Sequence, residues 1–229
     1  MFLLGAMYLM YDGVRLLVSA GHGEAFTNAH RVMSLERAIG VSDELQINHT
    51  VSATPALGVP LSYAYATLHY VVTPVVLVWL WRTRPWRYRG ARTALVVATL
   101  IGLAGFWLFP TAPPRMMPGF VDTLARYHDW GWWGAAASAP KGLAGLTNEF
   151  AAMPSLHVGW AAWCGWQIAR NANWRWLRVL GALYPVFMFT VVVGTANHYI
   201  ADAVAGLAVI LAGATIARFR ERSSDYASR

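Results

Sequence analysis

Long apolar stretches recur along the chain at intervals that fit membrane-spanning helices. A helix needs about 20 apolar residues to cross the hydrocarbon core of a bilayer. Six segments approach this length, and the polar residues gather between them. The pattern predicts an all-α integral membrane protein, a six-transmembrane-helix bundle that forms a single domain over residues 1–229. The predicted spans are about 1–20, 61–81, 93–110, 154–170, 176–193 and 199–217.

The first segment is the least regular, because Asp12 and Arg15 interrupt its apolar run. Val18-Ser19-Ala20 resembles a signal-peptide cleavage site, but the segment lacks the basic stretch with which such peptides begin. We therefore predict that residues 1–20 remain as a spanning helix.

Charged residues divide the connections between spans into two classes. The second-to-third and fourth-to-fifth connections and the C-terminal tail are rich in Arg and poor in acids, whereas 21–60 and 111–153 mix basic residues with carboxylates. Because Lys and Arg concentrate on the cytoplasmic side, we predict that both termini are cytoplasmic and that 21–60 and 111–153 lie outside. The Arg residues of the cytoplasmic class are Arg82, Arg84, Arg87, Arg89, Arg92, Arg170, Arg175, Arg178, Arg218, Arg220, Arg222 and Arg229.

The two outer connections are too long to be simple turns. In the first, apolar positions 32, 35 and 39 fall at helical spacing, which predicts an amphipathic interfacial helix over 30–39. The second, 111–153, is rich in Pro, Gly and Trp, which predicts an irregular external capping loop.

Composition supports the membrane assignment and removes two other classes of protein. Hydrophobic residues make up 57% of the chain and charged residues only 13%, which a soluble domain would not accommodate. The net charge of +7 lies mostly in the short Arg-rich connections, so it indicates topology rather than nucleic-acid binding. Cys164 is the single cysteine and permits no intramolecular disulfide. The Arg-rich, Lys-poor usage is typical of bacteria with GC-rich genomes, which favours a multi-pass protein of the bacterial plasma (inner) membrane.

Ionisable residues inside spans are costly and therefore point to function. His198 and Asp202 stand four apart at the start of the last predicted span, so the carboxylate can orient the imidazole. His157 begins the fourth predicted span. Both spans start on the outer side, so His157 and His198 are expected at similar depth. Two histidines and a carboxylate at one level form a candidate catalytic site on the non-cytoplasmic face.

Three kinds of function fit these residues. The first is a phosphoester-transfer enzyme, the second a histidine-dependent membrane carrier, and the third a metal site held by His and Asp. The chain has no evident internal repeat, and its ionisable residues gather at one face, which favours the enzyme over the carrier.

Two stretches resemble a known family. Met153-Pro154-Ser155-Leu156-His157 and the segment from His198 to Gly206, HYIADAVAG, are similar to the second and third motifs of the type 2 phosphatidic acid phosphatase superfamily. The closer likeness is to the branch that holds inositol phosphorylceramide synthase, and 109–115, FPTAPPR, resembles that branch as well.

The resemblance implies a metal-independent lipid phosphatase or phosphotransferase that needs no cofactor and holds no metal. It implies that His198 forms a phosphohistidine, that Asp202 orients it, and that His157 protonates the departing oxygen. A membrane lipid would be the substrate, and water or a small alcohol the acceptor; the lipid and the oligomeric state are left open. Candidate substrate-binding residues are Arg115, Ser155, Asn197, His69, Tyr65 and Asn148.

The chain departs from the phosphatases of that superfamily in its cationic groups. Val191 and Val192 stand where those enzymes carry a Ser-Arg pair before the nucleophilic His, and the Lys of their first motif is missing too. Arg115 is then the best remaining phosphate ligand, ahead of Arg126 and Lys141. A phosphodiester carries less charge than a monoester, so this loss favours a head-group phosphotransferase over a plain lipid phosphate phosphatase.

Overall fold

The computed structural model describes residues 22–133 and 149–227, and this part of the chain is helical, without named strands. The predicted span 1–20 lies outside the described residues. Eight α-helices and two short 3₁₀ turns, Pro114–Met116 and His128–Trp130, follow in chain order. The helices are α1 His22–Ala38, α2 Glu44–Ala53, α3 Pro55–Thr83, α4 Pro85–Leu108, α5 Thr123–Arg126, α6 Leu156–Asn171, α7 Arg175–Gly194 and α8 Ile200–Ala227.

Four of the described helices are long and apolar enough to cross a membrane. They are α3, α4, α7 and α8 up to Arg220. The predicted span 176–193 agrees with α7 to within a residue at each end. Helices α3 and α4 begin at Pro55 and Pro85, well before the predicted starts. In α4 the early turns carry Arg87, Arg89 and Arg92, which hydropathy excludes, whereas α3 begins with a Pro- and Gly-containing stretch that is not recognised as part of a span.

Helix α6 is the fourth predicted span, but it has only 16 residues. At about 1.5 Å per residue it is shorter than the hydrocarbon core. It packs against α7, α8 and α3, and two of its indole N–H groups bond to α4. Trp160 donates to the hydroxyl of Thr99, and Trp163 donates to the carbonyl of Ala91. The described residues therefore give four candidate spans around a shorter inner helix, and the predicted count of six spans is not confirmed.

Helix α1 covers residues 30–38 of the predicted interfacial segment 30–39 and begins earlier, at His22. Ala25, Ala29 and Val32 pack on the protein in a cluster with Tyr199, whereas Leu35 and Ile39 are 57% and 65% exposed. The helix buries the face that docks on the bundle. Its position on a membrane stays a prediction.

The described parts of the predicted capping loop, 111–133 and 149–153, are irregular apart from short turns and the single-turn helix α5, as the composition predicted. An isolated bridge pairs Thr111 with Ala151. Thr111 N–H donates to Phe150, and Ala152 N–H donates to Thr111. This bridge fixes the chain that leads into α6, next to the site described below.

Candidate active site

The start of α8 is placed by a buried turn after α7. In this turn Ala196 has a φ of 57°, a left-handed conformation that an L-residue adopts at a cost of about 1–2 kcal/mol. The surrounding hydrogen bonds hold it there: Ala196 N–H donates to Val193, and its carbonyl accepts from Arg115 N–H at 2.8 Å. Asn197 Nδ2 donates to Thr195 Oγ1 at 2.9 Å. The turn directs His198 back into the bundle.

The His198 ring is 3% exposed and its two nitrogens have different surroundings. Nδ1 lies 2.7 Å from the carbonyl oxygen of Ala152, which can only accept a hydrogen bond. In the neutral ring Nδ1 therefore carries the proton, and Nε2 presents its lone pair. The Nε2 atom lies 3.4 Å from Nδ1 of His157.

Asp202 is fully buried beneath the same ring. Its Oδ2 atom lies 3.5 Å from His198 Nδ1 and accepts the Tyr199 N–H at 2.9 Å. The nearest acceptor for His198 Nδ1 is thus the Ala152 carbonyl, where sequence reasoning had expected the carboxylate. Asp202 supplies negative charge next to the imidazole and fixes the turn before α8.

Close packing of α6 on α8 brings His157 to His198. A Cβ atom added at Gly206 would lie 2.2 Å from the carbonyl oxygen of Ser155, so only glycine allows this approach. The Ser155 N–H donates to the Asp202 carbonyl at 2.9 Å, across the same contact. Predicted to lie at similar depth, the two histidines are neighbours in the structure.

Two further predicted residues surround the His157 ring. Tyr65 stacks on it with ring centroids 4.4 Å apart, and His69 meets it edge-on at the same separation. Both come from α3, so α3 fixes the orientation of the imidazole. Within the described part of the chain, His69 Nδ1, His157 Nε2 and Asp202 Oδ1 are buried without a hydrogen-bond partner.

Arg115 lies beside the turn that carries His198. Its Nη1 donates to Asn197 Oδ1 at 2.7 Å, and its Nε lies 3.6 Å from Asp122 Oδ2. Burial raises the pKa of Asp122, and the positive charge of Arg115 opposes that rise. Arg126, the weaker candidate, is exposed, and Lys141 lies outside the described residues.

The remaining predicted site residues differ in their positions. Ser155 is fully buried and caps α6, its hydroxyl accepting from Val158 N–H at 3.4 Å, so its part in substrate binding stays a prediction. Asn148 lies outside the described residues. Val191 and Val192 are fully buried in the core, so this part of α7 brings no cation to the site. A search of the described residues for three or more His, Cys, Asp or Glu able to hold a metal ion found no such group.

Sequence reasoning missed three groups at this site. Besides the Ala152 carbonyl, the carboxyl groups of Glu36 and Glu44 accept hydrogen bonds from the first turn of α8. Glu36 follows Val32 by four residues and so continues the buried face of α1. A carboxylate in line with Ala25, Ala29 and Val32 on one helix face was the signal that would have identified it.

The family model described as the PAP2 superfamily matches residues 30–216, which include His157, His198 and Asp202. Searches of the curated proteins and of the solved structures found no match. Membership of this superfamily supports phosphatase-type phosphoester chemistry. The match covers most of the chain, and on that basis the protein belongs to the PAP2 superfamily.

Proposed function

We propose that the protein is a membrane phosphoester-transfer enzyme that acts on a lipid phosphate or a phospholipid head group through a phosphohistidine at His198. One observation carries the proposal. His198 Nδ1–H donates a hydrogen bond to the Ala152 carbonyl, so Nε2 is the nucleophilic nitrogen. Nε2 lies 3.4 Å from His157 Nδ1.

The reaction balances in two steps. In the first, the lone pair of His198 Nε2 bonds to phosphorus, the bond from phosphorus to the departing oxygen breaks, and His157 gives that oxygen a proton. In the second, an alcohol or water oxygen bonds to phosphorus and loses its proton to His157. The P–N bond then breaks and returns its electron pair to His198.

Arg115 is the proposed phosphate ligand. Asn197 and Asp122 hold its guanidinium beside the turn that carries His198, and a planar guanidinium suits paired contacts with phosphate oxygens. Tyr65 and His69 hold the His157 ring and form one wall of the proposed substrate pocket. The active site is proposed to face the non-cytoplasmic side.

The scarcity of cations favours head-group transfer over plain hydrolysis. Among the described residues that line the site, Arg115 is the cation with contacts to the His198 turn, and the buried Val191 and Val192 replace the Ser-Arg pair of the phosphatases. A phosphodiester has one negative charge where a monoester has up to two, and therefore needs less neutralisation.

The test uses purified protein in detergent with excess chelator. Phosphate-labelled phosphatidic acid and a head-group-labelled phospholipid are each supplied with and without inositol or a long-chain lipid alcohol. From the diester we expect release of diacylglycerol, acid-labile head-group label on the protein, and transfer of the labelled phospho-head group to the lipid alcohol as a new phospholipid. All three should be lost in His198→Ala. The matched control is His30→Ala, which removes an exposed histidine of α1.

Each outcome separates the alternatives. Free phosphate from phosphatidic acid with no transfer to any alcohol would make the protein a plain lipid phosphatase. Turnover by His198→Ala equal to that of the unmodified protein would overturn the phosphohistidine mechanism. An activated p-nitrophenyl ester needs little protonation of its leaving group, so His157→Ala should still label His198 with this substrate and fail with lipid.

A further inference from the structure

The first turn of α8 is held by three carboxyl groups from three parts of the chain. The first N–H groups of any helix have no partner within the helix and need one outside it. Here Tyr199 N–H donates to Asp202 Oδ2 at 2.9 Å, Ile200 N–H to Glu44 Oε1 at 3.1 Å, and Ala201 N–H to Glu36 Oε1 at 2.7 Å. The residue that bears the nucleophile, His198, immediately precedes these amides.

Glu36 and Glu44 reach this turn from the far end of the sequence. Glu36 lies near the end of α1 and Glu44 begins α2, more than 150 residues before the amides that they accept from. They are only 3% and 5% exposed. Burial of a carboxyl group is destabilising unless hydrogen bonds compensate for lost water. Here the compensation comes from the catalytic helix, which joins α1 and α2 to the site.

Because the two glutamates accept from the adjacent amides of Ala201 and Ile200, their carboxyl groups lie close enough to hydrogen-bond to each other. Such a bond between carboxyl groups requires a proton on one of them. Burial, first, and then the bond to Glu44 raise the pKa of Glu36 to about 8, while the Ala201 amide opposes the rise. The titratable groups that face Glu36 from the other described elements are Glu44 of α2 and Asp202 and Tyr199 at the start of α8.

We infer that Glu36 and Glu44 are positioning residues for the reaction proposed above, acting as a hydrogen-bonded pair that fixes the start of α8 and through it His198 and Asp202. The inference rests on the proposed function for its catalytic consequence. With one proton on the pair, Glu36 and Glu44 together add a single negative charge beside Asp202 at the positive end of the helix, where negative charge is favourable. Without that proton, Glu36, Glu44 and Asp202 would set three like charges around one turn.

Small movements of this turn are expected to lower the rate of the proposed reaction. Asp202 Oδ2 lies 3.5 Å from His198 Nδ1, and the Ala152 carbonyl fixes the same nitrogen, so a shift of the first turn alters both contacts. Misplacement of a catalytic group by about 1 Å can reduce a rate about 100-fold.

Two substitutions separate this positioning role from simple packing. Glu36→Gln resembles the protonated acid, because its oxygen can accept from Ala201 N–H while its NH₂ group donates to Glu44. Glu36→Ala removes both bonds. Glu24→Gln is the matched control, since Glu24 is an exposed glutamate of the same helix.

The first measurement is hydrogen–deuterium exchange of the amides of Ile200 and Ala201, as protection factors, between about pH 6 and about pH 9, a range that spans the ionisation of Glu36. Since Glu36 loses its proton as the pH rises through about 8, the unmodified protein should lose protection there and keep it below. Glu36→Gln should keep protection over the whole range, and Glu36→Ala should lack it throughout. This arm needs no substrate.

The second measurement is kcat and KM over the same range, with the labelled phospholipid that the protein turns over. We expect Glu36→Ala to lower kcat about 10- to 100-fold with little change in KM. Glu36→Gln should keep kcat at neutral pH and remove the decline near pH 8. A decline caused by His157 alone would persist in Glu36→Gln.

The outcomes are distinct. Equal protection in all variants would overturn the inference whatever the activity, as would an alkaline decline of kcat that Glu36→Gln leaves in place. Protection that depends on Glu36, without turnover of any phospholipid by any form, would overturn the proposed function and leave the pair as the anchor of α8 alone. If Glu36→Ala does not fold, the pH profile of Glu36→Gln still decides between these results.

Discussion

The two ends of the helix bundle use polar side chains in opposite ways. At the end that carries the candidate site, Asn197, His198 and Asp202 are 2%, 3% and 0% exposed and are held by hydrogen bonds. At the other end, where α3 meets α4 and α6 meets α7, Arg side chains lie near exposed indole rings. Arg84 lies 5.9 Å from the ring of Trp86, which is 68% exposed, and Arg170 lies 5.6 Å from that of Trp166.

This difference indicates what each end does. Burial of polar groups is destabilising unless each is paired, so a dense buried set marks a place where chemistry requires it. Exposed Arg and Trp residues near helix ends fit the side of a membrane protein that sets topology and meets lipid head groups. Changes at the first end should therefore alter the reaction, and changes at the second should alter little.

The strongest test of this contrast is Asp202→Asn. Asn keeps an acceptor for Tyr199 N–H, so the turn should survive, but the negative charge beside His198 is lost. We expect kcat to fall about 10²- to 10⁴-fold, a range typical of residues that orient a catalytic histidine. Turnover and the melting temperature in detergent measure the two effects separately. Unchanged turnover would show that the buried carboxylate serves the fold alone.

Gly206→Ala tests whether the site depends on the close contact of α6 and α8. The new methyl group would lie 2.2 Å from the Ser155 carbonyl, so the helices must separate. We expect a loss of about 1–3 kcal/mol in stability and about a tenfold fall in turnover, because His157 and His198 move apart. Thermal unfolding and turnover report both. Gly23→Ala is the control, since nothing lies within 4 Å of a Cβ at that position. If turnover by Gly206→Ala equals that of the control, the site does not depend on the close contact of α6 and α8.

Arg115→Lys should have a smaller effect that falls on binding. An ammonium group cannot contact both Asn197 and Asp122 while it also presents a planar pair of donors to phosphate. We expect KM for the phospholipid to rise about tenfold with kcat less affected, as for the loss of one charge-assisted hydrogen bond. Steady-state kinetics measure kcat and KM separately. The control is Arg126→Lys, because Arg126 is exposed. A fall in kcat with unchanged KM would contradict a role in substrate binding and would indicate that Arg115 acts in the chemical step.

The same contrast explains how much of the molecule the sequence predicted. The apolar run 176–193 predicted both ends of α7 to within a residue. It did so because the outer and core faces of that helix are both hydrophobic. Antiparallel helix order placed His157 and His198 at one depth, and the structure brings them into contact. These inferences needed only local composition and the alternation of spans.

Other features depend on contacts that no local pattern records. The Ala152 carbonyl that fixes His198 is a backbone group, and every residue has one. Glu36 bonds to an amide 165 residues away. Helical spacing likewise predicts an apolar face over 30–39, but it does not record that the helix docks on the bundle through Ala25, Ala29 and Val32.

The smallest effect is expected from Arg84→Ala at the opposite end. Arg84 donates to Asn173 Oδ1 at 3.2 Å and lies over Trp86, both in exposed surroundings. Such contacts contribute about 1 kcal/mol or less, so turnover should stay within about twofold of the unmodified protein. Topology should persist as well, because Arg82, Arg87, Arg89 and Arg92 remain in the same connection. Turnover, melting temperature and accessibility of the termini in sealed vesicles check these expectations. A loss of turnover as large as that of Asp202→Asn would mean that both ends take part in the reaction, and the contrast between them would fail.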